Sequence, residues 1–289
     1  MNIDALNEWL PLPAPGTPLV IAGPCSAESE EQVLRTAHAL KEIPAVKVFR
    51  AGIWKPRTRP NNFEGLGEIA LPWLARVKKE TGLLTTTEVA TAKHVELCLK
   101  AGIDILWIGA RTTANPFSVQ EIADALKGVD IPVMVKNPIN ADLQLWIGAL
   151  ERMNQAGISK LVAIHRGFSV AEKLEFRNDP LWRIPMELKV KFPELPLLCD
   201  PSHITGKRDL VQKVCQKAMD LDMNGLIIET HPDPERAWSD ASQQVTPEKL
   251  LNIISSLSLK REYSQDKNYT EELNDLREQI DRLDNELIH

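Results

Sequence analysis

A closed (β/α)8 barrel is the fold class this sequence predicts, and three observations carry the prediction. Apolar runs suited to fully buried strands occur at 19–24, 46–50, 83–88, 105–110, 132–136, 161–165, 197–200 and 225–229, with helical patterns in the gaps. Several of those helical patterns end in glycine just before the next strand, as in KETG at 79–82, LKAG at 99–102 and NQAG at 154–157. Glycine is the residue that takes the left-handed position at a helix C-terminus. Eight such units with no interrupting domain favour closure over an open doubly wound sheet, and the GxGxxG loop of the open alternative is missing, since Gly65-Leu66-Gly67 is too short and follows no strand.

Taken in order, residues 1–18 carry prolines at 11, 13, 15 and 18 and read as an extended arm rather than a domain. The first strand, LVIAG, stops abruptly at Gly-Pro-Cys-Ser, which puts Cys25 at its tip. The barrel then runs to residue 257, and its 289-residue chain accommodates the ~250 residues such a barrel takes. Residues 258–270 are polar and read as a linker. Beyond them Leu273, Leu276, Ile280, Leu283 and Leu287 recur at spacings of three and four, one apolar stripe on a charged helix over 271–289. A single such helix cannot bury its stripe alone, so a partner surface on the barrel, on another subunit or on further sequence is expected.

Composition narrows the function classes. A net charge of −6 gives no general affinity for polyanions, so nucleic acid is not expected as a principal partner. The four cysteines, Cys25, Cys98, Cys199 and Cys215, form no CxxC pair, and no charged segment with an apolar core opens the chain, which predicts a reduced, cytoplasmic protein. No apolar run approaches the ~20 residues of a membrane span.

In a barrel of this kind the C-terminal strand ends converge on the face where active sites are built. Read off in order, those ends are Cys25, Arg50, Glu88, Arg111, Lys136, Arg166, His203 and Glu229, with Lys55, Arg57 and Asp240 on the following loops. They fall into two sets. Cys25, His203, Glu229 and Asp240 offer sulfur, nitrogen and oxygen donors from the first, seventh and eighth units, which adjoin on closure and could surround one divalent cation. Individually each has a plainer explanation: a buried thiol, a hydrogen-bonded histidine, an aspartate capping a helix. The second set is Arg50, Lys55, Arg57, Arg111, Lys136 and Arg166. Cations gathered at strand tips in an acidic protein repel one another unless an anion neutralises them, and guanidinium forks match phosphate and carboxylate oxygens. A strongly anionic substrate is therefore expected, the plainer alternative being structural bridges to Asp or Glu.

The motifs AGPCS at 22–26, FRAGIWKPRT at 49–58, IGAR at 108–111, DPSH at 200–203 and IIETHPDPERAWSDASQQ at 227–244 resemble those of the 3-deoxy-D-arabino-heptulosonate 7-phosphate (DAHP) synthases, in the type Iβ branch. The resemblance covers residues 17–257. Lys-Pro-Arg-Thr at 55–58 is its most discriminating part, because the related octulosonate-phosphate and sialic-acid synthases carry a Lys-Ala-Asn-type sequence there. The resemblance implies condensation of phosphoenolpyruvate with D-erythrose 4-phosphate to DAHP and phosphate, the first step of the shikimate pathway. It assigns Cys25, His203, Glu229 and Asp240 to one divalent metal ion, Mn2+ first, with Fe2+, Co2+ or Zn2+ as alternatives. Arg50, Lys55, Arg111, Lys136 and Arg166 would contact phosphoenolpyruvate, and Arg57 and Thr58 the phosphate group of erythrose 4-phosphate. Lys55, Lys136, His203 and Glu88 are the candidates for proton transfer. The chain departs from the family at Arg59, where serine is common, at His165, where an acidic residue often stands, and at Asn137, which replaces an arginine.

The C-terminal ELNDLREQIDRLDNELIH resembles the opening of the first helix of an all-helical chorismate mutase, with Arg277 at the position of an active-site arginine. The resemblance implies a bifunctional synthase-mutase cut early in its second domain, without mutase activity here, and a homo-oligomer, dimer or tetramer. Fusion to an entry enzyme further suggests feedback control by a product such as prephenate. Two other functions remain open at this point: another phosphoenolpyruvate-dependent sugar-phosphate synthase, and a non-catalytic sugar-phosphate sensor.

Overall fold

Eight parallel strands close on themselves in the order β1 to β8 in the computed structural model, which describes residues 1–56, 62–172, 175–259 and 267–288. The strands are β1 Leu19–Gly23, β2 Val46–Arg50, β3 Leu84–Val89, β4 Ile105–Ile108, β5 Val133–Lys136, β6 Leu161–His165, β7 Leu197–Cys199 and β8 Gly225–Glu229. Closure is made by β1 lying beside β8 with Leu19 opposite Gly225 and Gly23 opposite Glu229. This is the (β/α)8 barrel expected from the apolar runs. The chain divides into two compact units, Met1–Ser258 and Leu259–His289, the second built on the helix Lys267–Ile288. Among the described residues no helix is long and apolar enough to cross a membrane.

Several of the outer helices begin on a side-chain cap. Ser29, Thr91, Asp142 and Thr246 each accept a hydrogen bond from a backbone N–H in the first turn of the helix that follows, satisfying donors the helix itself leaves open. Two outer helices, Leu71–Thr81 and Ala92–Ala101, end on glycine in the left-handed region, Gly82 at φ 76° and Gly102 at φ 72°.

Inside the barrel the strand period of two decides which residues face the axis. Leu19 and Ile21, Val48, Ile105 and Trp107, Met134, Val162 and Ile164, Leu198 and Ile227 form one buried apolar cluster. Continuing each strand by two residues along the same face leads from Val48 to Arg50, from Met134 to Lys136, from Leu198 to Asp200 and from Ile227 to Glu229. The apolar filling therefore gives way to charge at the C-terminal end. The opposite end is sealed by the N-terminal arm, which is not merely extended: Leu6–Trp9 form one helical turn, Leu10 is buried in the same cluster, and Leu6 and Trp9 pack against it. The prolines follow that turn, so they bound it without preventing it.

Candidate active site

Trp107 on β4 is the floor of the site. Its ring lies 4.9 Å from the Arg50 guanidinium carbon and 5.7 Å from Lys136 Nζ, so both cations rest on an aromatic face. Its Nε1 donates to Glu88 Oε2 at 3.1 Å, which fixes the carboxylate at the tip of β3. Gly109, just past β4, makes this possible: a Cβ there would stand 2.0 Å from Glu88 Oε1. Above the floor opens a cavity of about 560 Å3, lined among others by Lys55, Glu88, Arg111, Lys136, Arg166 and His203.

The residues expected at the strand ends are brought together, but the two expected sets interleave instead of standing apart. Arg50 and Glu229, both fully buried, pair through Nη2 and Oε1 at 3.1 Å. Lys136 Nζ binds Asp200 Oδ2 at 2.8 Å. Lys55 Nζ lies 3.0 Å from Cys25 Sγ and 2.9 Å from the Cys25 carbonyl oxygen. Arg166, in contrast, reaches a neutral partner, donating to Asn178 Oδ1 at 2.9 Å. Arg50 keeps two further nitrogens, Nε and Nη1, buried without a hydrogen-bond acceptor among the described residues. Leaving a charged donor buried and unmatched costs on the order of 1–3 kcal/mol or more, which an incoming anion offsets. Arg57 and Thr58 lie outside the described residues.

Burial and charge set the protonation of this cluster. Burial pushes the Cys25 thiol up to about 12, with Glu229 adding to the effect, so the group is neutral as it stands. Burial alone would raise the carboxyl of Asp200, yet His203 and Lys136 hold it well below the usual carboxylate range. Glu229 and Asp240 are likewise ionised against the cost of burial, each stabilised chiefly by His203 and a facing arginine. Burial lowers His203 below its ordinary value, although Asp200 and Glu229 favour its charged form. Burial opposes the charge of Lys55, but Cys25 and Glu229 outweigh it and its pKa is raised. Burial also brings Arg166 down to about 10.

The four donors fit a divalent cation in their chemistry and, in pairs, in their spacing. Cys25 Sγ is 3.3 Å from Asp240 Oδ2, and His203 Nε2 is 3.7 Å from Glu229 Oε1. Donors sharing an ion at bond lengths of roughly 2.0–2.3 Å stand about 3–4 Å apart. His203 Nδ1 lies 2.8 Å from Asp200 Oδ2, too oblique for a regular hydrogen bond but close enough to favour the tautomer that leaves Nε2 open. As placed, no three His, Cys, Asp or Glu donors among the described residues converge far enough to close a shell, and the Lys55 ammonium stands against the sulfur. Asp240 caps nothing: its side chain makes no cap bond to the turn Ala241–Gln243.

Four residues absent from the strand-end reading belong to the site. Asp200 couples Lys136 to His203; it occupies the inward position two beyond Leu198, a signal visible in the strand period. Asn178 joins Arg166 to the His203 carbonyl oxygen, donating to the latter at 2.6 Å. Gln244 accepts from the Cys25 backbone N–H at 3.0 Å. Gln243 donates to Glu229 Oε2 at 2.6 Å.

A (β/α)8 barrel with a buried cationic cavity and a mixed sulfur, nitrogen and oxygen donor quartet at its C-terminal end defines a class of enzymes that handle small anionic substrates. The family can be specified: residues 15–265 match the profile of the DAHP synthetase I family, and the chain belongs to it. A phospho-2-dehydro-3-deoxyheptonate aldolase of Thermotoga maritima is 33% identical over 238 residues, covering 82% of this chain and 68% of that one. The crystal structure of the Thermotoga maritima DAHP synthase superposes with a TM-score of 0.74 at 32% identity, covering 83% of this chain and 68% of that one. A 2-dehydro-3-deoxyphosphooctonate aldolase of Variovorax paradoxus is 27% identical, with 82% of this chain and 88% of that protein covered.

Proposed function

We propose that the chain is a DAHP synthase of the type Iβ branch, joining phosphoenolpyruvate to D-erythrose 4-phosphate with loss of inorganic phosphate. The observation that carries the reading is the buried cationic cluster, above all Arg50, whose Nε and Nη1 lack acceptors among the described residues and suit the oxygens of an anionic ligand. Family membership supports the same reaction, and KPRT at 55–58 favours the four-carbon aldose over the five-carbon one that an eight-carbon octulosonate product requires.

In this reading Arg50, Lys55, Arg111, Lys136 and Arg166 bind phosphoenolpyruvate over Trp107, while Arg57 and Thr58 hold the erythrose phosphate. Cys25, His203, Glu229 and Asp240 hold one divalent cation, manganese first, with iron, cobalt or zinc as alternatives. That cation supplies Lewis acidity toward the aldehyde oxygen. The new carbon–carbon bond joins C3 of the enolpyruvate to the aldehyde carbon, water adds its oxygen at C2, and cleavage of the C2–O bond releases phosphate. Glu88, held by Trp107 Nε1, and Lys136, held by Asp200, flank the cavity where that water would be steered, with Lys55 and His203 as the other candidates for moving protons. The cation cluster keeps the enolpyruvate fixed in place and offsets its charge throughout.

The helix Lys267–Ile288 is, in the same reading, a chorismate mutase-like helix without mutase activity of its own, and the enzyme is a cytoplasmic homo-oligomer controlled by a pathway product. The test is the ultraviolet loss of phosphoenolpyruvate by chelator-stripped protein. Consumption that needs both erythrose 4-phosphate and added Mn2+ is the expected outcome. Consumption with a pentose 5-phosphate instead would move the assignment to an octulosonate synthase, and saturable binding with no turnover on either aldose would make the protein a sensor.

A further inference from the structure

Beside the donor quartet two side chains absent from the strand ends, Arg177 and Gln243, join Asp240 to Glu229 in one hydrogen-bonded circuit. Arg177, on the loop after β6, directs Nη1 at two acceptors, Asp240 Oδ1 at 3.0 Å and Gln243 Oε1 at 2.9 Å. Gln243 is fully buried, and its Nε2 donates to Glu229 Oε2 at 2.6 Å. The amide has only one workable orientation, because its reverse would set NH2 against the guanidinium and C=O against the carboxylate. One oxygen of each carboxylate is thereby occupied. The other is aimed at a further donor of the quartet: Asp240 Oδ2 at Cys25 Sγ, 3.3 Å away, and Glu229 Oε1 at His203 Nε2, 3.7 Å away.

The root of the circuit is tied to the segment that carries His203. The Arg177 N–H donates to the Thr205 carbonyl oxygen at 3.2 Å, at the end of the short helix Pro201–Thr205. The Arg177 stem lies against Gly206, where a Cβ would come within 2.6 Å of the arginine's own Cβ. Asp240 has a backbone φ of 46°, in the left-handed region that a non-glycine residue occupies only when its surroundings hold it there. A half-exposed Arg177 and a buried glutamine are thus joined to two of the four donors and to the short helix that carries a third.

Resting on the cation site of the preceding section, we propose that Arg177 and Gln243 are positioning residues for it, presenting Asp240 Oδ2 and Glu229 Oε1 to the ion. Neither is one of the four donors, and each acts through a carboxylate that is. Their effect is to spare the site the entropy of ordering two carboxylates at the moment of binding.

Equilibrium competition between the chelator-stripped full chain and a chromophoric chelator for Mn2+, with the thiolate-to-cobalt absorption of the Co2+-loaded protein as a second readout, tests this. Arg177→Met keeps the packed stem and, because the side chain is 49% exposed, keeps the fold. It and Gln243→Met should each weaken Mn2+ binding about 10- to 100-fold and alter the cobalt band. The double variant should lose less than the product of the single losses, since both act through one circuit. Wild-type affinity and an unchanged band in folded Arg177→Met, with only the melting temperature lowered, would overturn the proposal and leave a structural staple. No Mn2+ binding by the wild-type chain would instead refute the cation site, and this inference with it.

Discussion

Cys25, Cys98, Cys199 and Cys215 are all buried, and burial is the largest influence on each thiol. A thiol pushed up to about 12, as Cys25 is, is not a thiolate at neutral pH; a divalent cation bound to the sulfur is the influence that would make it one. Cys98 and Cys215, remote from the site, give a cleaner consequence. Cys98 is pushed up to about 12 from an ordinary 9.0 and Cys215 is raised as well, so the folded chain retains protons that the unfolded chain releases above pH 9.0. Stability from this source is complete below pH 9.0 and is lost as pH rises toward 12, by about 1.4 kcal/mol per pH unit per thiol. Urea unfolding between pH 8 and 10.5 should therefore show a flatter alkaline decline in a Cys98→Ala/Cys215→Ala variant than in the parent, by about 2–3 kcal/mol per unit at the upper end. Parallel declines would mean that the thiols ionise as easily folded as unfolded.

The barrel strands divide into a structural end and a chemical end, and the same kind of substitution should have opposite signatures at the two. Gly82 ends the helix Leu71–Thr81 at φ 76° with open space around it, so Gly82→Ala carries only the left-handed backbone penalty, about 1 kcal/mol. At Gly109 an added Cβ meets the Glu88 carboxylate and must drive it off Trp107 Nε1. Gly109→Ala should lower turnover of phosphoenolpyruvate at least about tenfold, the scale of a lost acid–base or orienting group, while Gly82→Ala lowers the melting temperature alone. Paired melts and steady-state rates check this; equal turnover in both variants would take Glu88 out of the chemistry. That division also explains what was legible in the sequence. Buried parallel strands are apolar runs, so the first charged residue after each run marks its tip, and Arg50, Glu88, Lys136 and Glu229 could be read directly. Asp200 obeyed the same period but was masked by the histidine three residues on. Arg177 and Gln243 could not be read that way, because they lie on aperiodic loops 66 residues apart and their role exists only through hydrogen bonds between units. The interleaving of Arg50 with Glu229 was also hidden, since a list of strand tips records which groups meet but not which of them pair.

At the scale of the whole barrel, polarity runs along the axis, with charge at the top and a continuous apolar column from Trp107 down to Leu10. A column open at its lower end would expose that surface to water, and the N-terminal turn is what prevents it. The arm is held by more than packing: the Asp4 N–H donates to the Ser159 carbonyl oxygen at 3.1 Å, and Ser159 Oγ donates to Asp4 Oδ2 at 2.7 Å. Leu10, 4% exposed, is the side chain that enters the column. Leu10→Ala should cost about 2–5 kcal/mol, the range for a buried leucine whose neighbours relax only partly. The apolar filling of the barrel separates it from the cavity, and the neighbours of a void relax only partly. Urea denaturation is therefore expected to show a lower midpoint with an undivided transition, while the KM for phosphoenolpyruvate stays that of the parent. A raised KM at unchanged fold would mean that the column is stiff over its whole height, so that a void at Leu10 tilts Trp107 and, through it, the Arg50 guanidinium 4.9 Å above the ring.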